Sequence, residues 1–101
     1  MDLKAGTRLR SQACSAEVIV VRPPGRDVDL HCGGAPMIPM DGVVEQHPLD
    51  AGQAAGTLLG KRYADPDSGL ELLCTKAGEG SLVLDGAPLP QKDAKPLPSS
   101  D

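Results

Sequence analysis

Residues 17–37, "EVIVVRPPGRDVDLHCGGAPM", decide the fold class of this chain. Glu17–Arg22 is a run rich in β-branched residues, stopped by Pro23, Pro24 and Gly25. Such a run between backbone-fixing residues predicts a strand of about Glu17–Arg22. After "RPPGRD" the apolar side chains of Val28, Leu30 and Cys32 alternate with Asp29 and His31, which predicts a second strand, Val28–Cys32. Gly33, Gly34, Ala35 and Pro36 follow, and the Gly-Ala-Pro segment reads as the turn that ends the unit. Neither here nor elsewhere does a 3.6-residue period run long enough for a helix; residues 43–55 hold one turn at most, because Pro48 and Gly52 interrupt them.

Working outward, the same phrase is heard twice. Residues 5–37 and 55–89 both open with Ala-Gly-Thr and close with Gly-Ala-Pro followed by Met37 or Leu89. An overlay that absorbs two residues sets Val18, Val20 and Val21 against Leu70, Leu72 and Leu73, and Leu30 against Leu82. A repeat is the first thing to weigh in a fold reading. Each copy predicts three strands: Thr7–Arg10, Glu17–Arg22 and Val28–Cys32, then Thr57–Tyr63, Leu70–Thr75 and Ser81–Leu84. The expected fold is therefore all-β, a small antiparallel barrel or sandwich made from two similar three-stranded units. Residues 1–89 form the domain, 38–54 link the copies, and 90–101 form a polar, Pro-rich mobile tail. The tail repeats "PLP" at 88–90 and 96–98, a pattern open to polyproline recognition but common in any Pro-rich linker.

Composition narrows the function. The chain of 101 residues has no Trp, no Phe and one Tyr, Tyr63, so its core must be aliphatic. Aromatic rings normally bring the largest buried areas, and without them the stability margin is expected to be thin. The net charge is -4 and the ten basic residues are scattered. With neither a basic stripe nor rings for bases to stack on, nucleic-acid binding is not expected. "VIVV" is too short for a signal core or a membrane span, so no membrane association is expected. Three cysteines, an odd number, argue against a disulfide framework and for the cytoplasm. The Ala, Gly, Pro, Asp and Leu bias reads as bacterial.

Chemistry, if any, resides in Cys14, Cys32, Cys74, His31 and His47. Three thiols converging with one imidazole would suit zinc or iron, and a metal would support a core without aromatics. Against this, no Cys-x-x-Cys occurs, and the cysteines fall at unequal places in the two copies. Alternation also puts Cys32 on the core face with Val28 and Leu30, and His31 on the other, so free buried thiols are the competing reading. A Cys–His nucleophile pair for a small enzyme would use Cys32 or Cys74 with His47, yet no family-type signature surrounds either thiol. Asp27, Asp29, Asp65 and Asp67 sit in or beside turns, where Asp is expected for backbone reasons. "AGEGS" at 77–81 lacks the Lys and helix of a phosphate loop and reads as a hairpin turn. The expected function is a non-catalytic accessory module that binds a protein partner or a second copy of itself through strand edges and the tail.

Overall fold

The computed structural model describes residues 3–92, which build an all-β molecule. In chain order the strands are β1 (Arg8–Arg10), β2 (Glu17–Arg22), β3 (Leu30–Cys32), β4 (Ala35–Pro36), β5 (Ile38–Pro39), β6 (Arg62–Ala64), β7 (Glu71–Lys76), β8 (Leu82–Leu84) and β9 (Ala87–Pro88). They form two antiparallel sheets, ordered β5-β1-β2-β7-β6 and β4-β3-β8-β9. Both sheets have free ends, so the barrel alternative is set aside. Apart from β5, the order is unchanged when β1–β4 are exchanged for β6–β9. At the centre of the first sheet Val18 faces Cys74 and Val20 faces Leu72; at the centre of the second, Leu30 faces Leu84 and Cys32 faces Leu82.

The Gly-Ala-Pro segments are not turns. In each, the turn lies one step earlier, and Ala-Pro is already the returning strand. Gly33 and Gly34 (φ 67 and 93) link β3 to β4, and Asp85 and Gly86 (φ 49 and 83) link β8 to β9. Two consecutive positive-φ residues make the two-residue hairpin turn whose twist matches the strands it joins. Asp85 adopts the left-handed region at some cost, offset by its carboxylate, which accepts from the Asp29 amide at 2.8 Å and pairs with Arg26. Segments "RPPGRD" and "KAGEG" instead carry the chain from one sheet to the other, between β2 and β3 and between β7 and β8. The hairpin expected at "AGEGS" is thus replaced by a crossover.

The expected strand Thr57–Tyr63 is shortened to β6 because Gly60 (φ 78) closes a turn in its middle, with the Lys61 amide donating to the Leu58 carbonyl at 3.2 Å. Thr57 makes only an isolated bridge to Gly78. Within 43–55 there is one 3₁₀ turn, Ala51–Gln53, capped by the Asp50 side chain (Gly52 N–H to Oδ1, 2.9 Å).

Both sheets contribute to one core cluster: Leu9, Val18, Val20, Tyr63, Leu72 and Cys74 from the first, Leu30, Cys32, Leu82 and Leu84 from the second. Tyr63 is buried, and its hydroxyl accepts from the Leu58 amide at 2.9 Å. The one phenol ring of the chain therefore joins the core to the 58–61 turn. Tyr63→Phe is expected to cost about 1 kcal/mol, since the Leu58 amide loses its acceptor; urea unfolding with an unchanged m-value would check it.

Among the described residues, each sheet edge is either short and proline-bearing or covered by the chain itself. Edge strands β4, β5 and β9 are two residues long and each contains a proline, Pro36, Pro39 or Pro88. Along β6 the chain itself returns: Ala64 N–H donates to Pro90 O at 3.1 Å and Lys92 N–H to Arg62 O at 2.7 Å. The start of the expected tail is thus docked, and the remainder of it, with its second "PLP", lies outside the described residues. Lys92 and Arg62 both pair with the buried Glu71 carboxylate, at 2.8 and 3.0 Å. Lys92 chiefly, opposed by burial and helped by Arg62, holds the Glu71 carboxyl below its usual pKa. A depressed folded value means stability present above the unfolded pKa of about 4.3 and lost as pH falls through the folded value. Glu71→Gln is expected to flatten that acid limb and, the two cations being half exposed, to cost only about 1 kcal/mol at pH 7; thermal melts across pH 2–7 would measure both.

Candidate functional site

Two of the five candidate residues come together. Cys14 lies in the loop between β1 and β2, and Cys32 ends β3 in the other sheet; their Sγ atoms are 3.8 Å apart. Ser11 shapes the loop. Its Oγ accepts from the Ala13 and Cys14 amides, both at 3.1 Å, while the Ser11 amide donates to Ala16 O at 2.9 Å. The Cys14 thiol donates to the same hydroxyl at 3.3 Å. Opposite, Gly78 and Gly80 back onto the Cys14 sulfur, and the Thr57 hydroxyl donates to Gly80 O at 2.7 Å. The Leu49 side chain from the linker lies over Gly33, and the linker is held there by Asp50 N–H to Gly33 O (3.0 Å) and His47 N–H to Gln12 O (2.9 Å).

The two thiols differ in environment. Cys32 is fully buried, and burial first, then the neighbouring Cys14, pushes its pKa up to about 12. Cys14 is partly exposed on an open cleft lined by Arg10, Ser11, Gln12, Gln46 and His47. Burial raises its pKa too, but bonds from the Ser11 hydroxyl and the Ala16 and Gly80 backbone outweigh it, so Cys14 sits below the usual thiol value. Cys74 is buried in the core, raised by burial, and its thiol donates to Lys76 O at 3.1 Å.

His31 turns to the opposite face from Cys32, as alternation requires, and its Nε2 lies 3.0 and 3.1 Å from the two Asp29 oxygens. His47 is exposed and shares the cleft with Cys14. Among the described residues no three His, Cys, Asp or Glu side chains are grouped to hold a metal ion. The carboxylates at the turns have backbone duties: Asp65 accepts from the Asp67 and Ser68 amides at 3.3 and 3.1 Å.

A second feature escaped the sequence reading. Leu58 and Leu59 are 53% and 65% exposed on the tight 58–61 turn. That turn is fixed by the Tyr63 hydroxyl and by two bonds to β7, Gly60 N–H to Cys74 O (2.9 Å) and Cys74 N–H to Lys61 O (3.0 Å). Lys61 belongs to the turn itself, and Arg62 and Lys92 follow along the β6 edge, paired with the Glu71 carboxylate, on a chain whose net charge is -4. The signal lies in "TLLGKR", where two leucines precede a turn glycine within the expected strand Thr57–Tyr63.

The chain matches no protein-family model, no curated protein and no solved structure. Among the described residues no helix is long and apolar enough to cross a membrane.

Proposed function

We propose that this protein is a small non-catalytic module that binds another protein, presenting the Leu58–Leu59 turn to an apolar pocket with an acidic rim. The observation that carries this reading is the pair of exposed leucines on a turn held rigid by Tyr63 and β7. A preorganised apolar tip loses little entropy on docking. Lys61, Arg62 and Lys92 beside it favour carboxylates around the receiving pocket and speed encounter with them. The closed edges move the expected contact away from strand addition and onto side chains. In this reading the two sheets face each other as a sandwich of two similar units, working in the bacterial cytoplasm. The metal alternative keeps only the Cys14–Cys32 pair as near neighbours; elemental analysis showing one zinc or iron per chain, released together with thiols by a chelator, would restore it. The Cys-dependent enzyme alternative would need one thiol alkylating far faster than the others.

To test the docking reading, a protein captured by the full chain is purified and titrated against the native chain and against Leu58→Ser/Leu59→Ser. Both leucines are exposed, so the variant should keep its melting temperature. Binding at least tenfold weaker, about 1.4 kcal/mol, and falling with salt is the expected result. Equal affinity for both chains would sink the idea. So would concentration-dependent self-association of the chain alone, or binding to anionic phospholipid vesicles, through the same two leucines.

A further inference from the structure

We propose that Cys14 and Cys32 are a redox-active dithiol, oxidised by a small hydroperoxide to an intramolecular disulfide that ties the first sheet to the second. Three observations meet in this assignment, and none of them depends on the docking turn. The sulfurs are already in contact at 3.8 Å although 18 residues separate them in sequence, so only a local closure is needed. Cys14 belongs to a loop outside the strand ladders, which leaves its side chain free to make that closure, while Cys32 is fixed at the end of β3. Access is one-sided: Cys14 opens onto the polar cleft with Gln12 and His47, and Cys32 is sealed beneath it.

That asymmetry assigns the roles. The Cys14 sulfur, having given up its proton, attacks one oxygen of the hydroperoxide. The O–O bond breaks, and the departing hydroxide or alkoxide takes a proton and leaves as water or alcohol. Cys14 is now a sulfenic acid. The Cys32 sulfur then attacks the Cys14 sulfur, losing its proton as the S–O bond breaks and the hydroxyl leaves as water. Two thiols supply the two electrons that reduce the peroxide. Cys74, whose thiol donates to the Lys76 carbonyl, takes no part. The Ser11 hydroxyl lies on Cys14 and the Thr57 hydroxyl on Gly80 beside the pair, whereas the Cys74 thiol is turned to the Lys76 carbonyl.

The test treats the reduced, full-length chain with stoichiometric hydrogen peroxide under native conditions, followed by intact mass and peptide mapping. The expected product is about 2 Da lighter, with Cys14 joined to Cys32 and one free thiol at Cys74. Its melting temperature should rise on the order of 10 °C and return on reduction, because a cross-link across two sheets restricts the unfolded chain. In Cys32→Ser the sulfenic acid should persist and be trapped by dimedone at position 14; in Cys14→Ser neither product should form. A native chain that keeps three thiols under peroxide, or a bridge that includes Cys74 or joins two chains, would overturn the proposal.

Discussion

Gly78→Ala is expected to destabilise the molecule by about 3 kcal/mol or more. A Cβ at that position would overlap the Ala16 backbone nitrogen and lie 2.7 Å from both the Ala16 Cβ and the Cys14 Sγ. The Ala16 atoms have no room to retreat. Ala16 is fully buried and its carbonyl accepts from the Ser11 amide, while Gly78 itself is bound both ways to Thr57, at 2.9 and 3.1 Å. The crossover would have to lift off the Cys14 loop, exposing the underside of the thiol pair. Gly52→Ala, where the new Cβ would stand no closer than 3.5 Å to the Asp50 side chain, is the matched control, with a change within about 0.5 kcal/mol. Chemical denaturation of both variants separates the steric cause from any general loss of chain freedom: if they fall together, the close approach is not what matters.

Leu72→Ala is the second large effect. Leu72 is fully buried on β7, opposite Val20 in the central strand pair and opposite Tyr63 on the other side. Removing its isobutyl group costs about 3 kcal/mol in transfer and cavity energy. A domain of this size has roughly 5–10 kcal/mol to lose. The surrounding strands hold Val20 and Tyr63 in register, so little of the loss is recovered, and the melting temperature should fall by about 15 °C. Leu72→Met, which keeps the volume, should cost less than about 1.5 kcal/mol. Equal losses for Ala and Met would mean that the site tolerates no shape change, which is a different kind of core.

The all-β class was legible because "EVIVVR" carries its own evidence: a β-branched run stopped by two prolines leaves no other element to form, and β2 begins and ends where that run does. Strands β4, β5 and β9 were not legible. Two residues cannot show alternation, and a proline in each reads as a break. The hairpin turns were written in the sequence as Gly33-Gly34 and Asp85-Gly86, but the following Ala-Pro drew the reading one step too far. At the thiols, alternation correctly separated His31 from Cys32 and placed Cys32 inside. What it could not supply was the neighbour of Cys32. That contact joins a loop of one sheet to a strand of the other, and no local period encodes which loop folds over which strand. Ser11 and Thr57, which complete the surroundings, are equally mute in sequence, since a hydroxyl residue beside a turn is commonplace.

The prolines at the margins also govern how copies of this molecule meet. A backbone seam is cooperative and hard to undo, because each hydrogen bond aligns the next. With no such seam on offer, encounters between neighbours rest on individual side chains, and each can be strengthened or abolished by a single codon change without rebuilding the sheets.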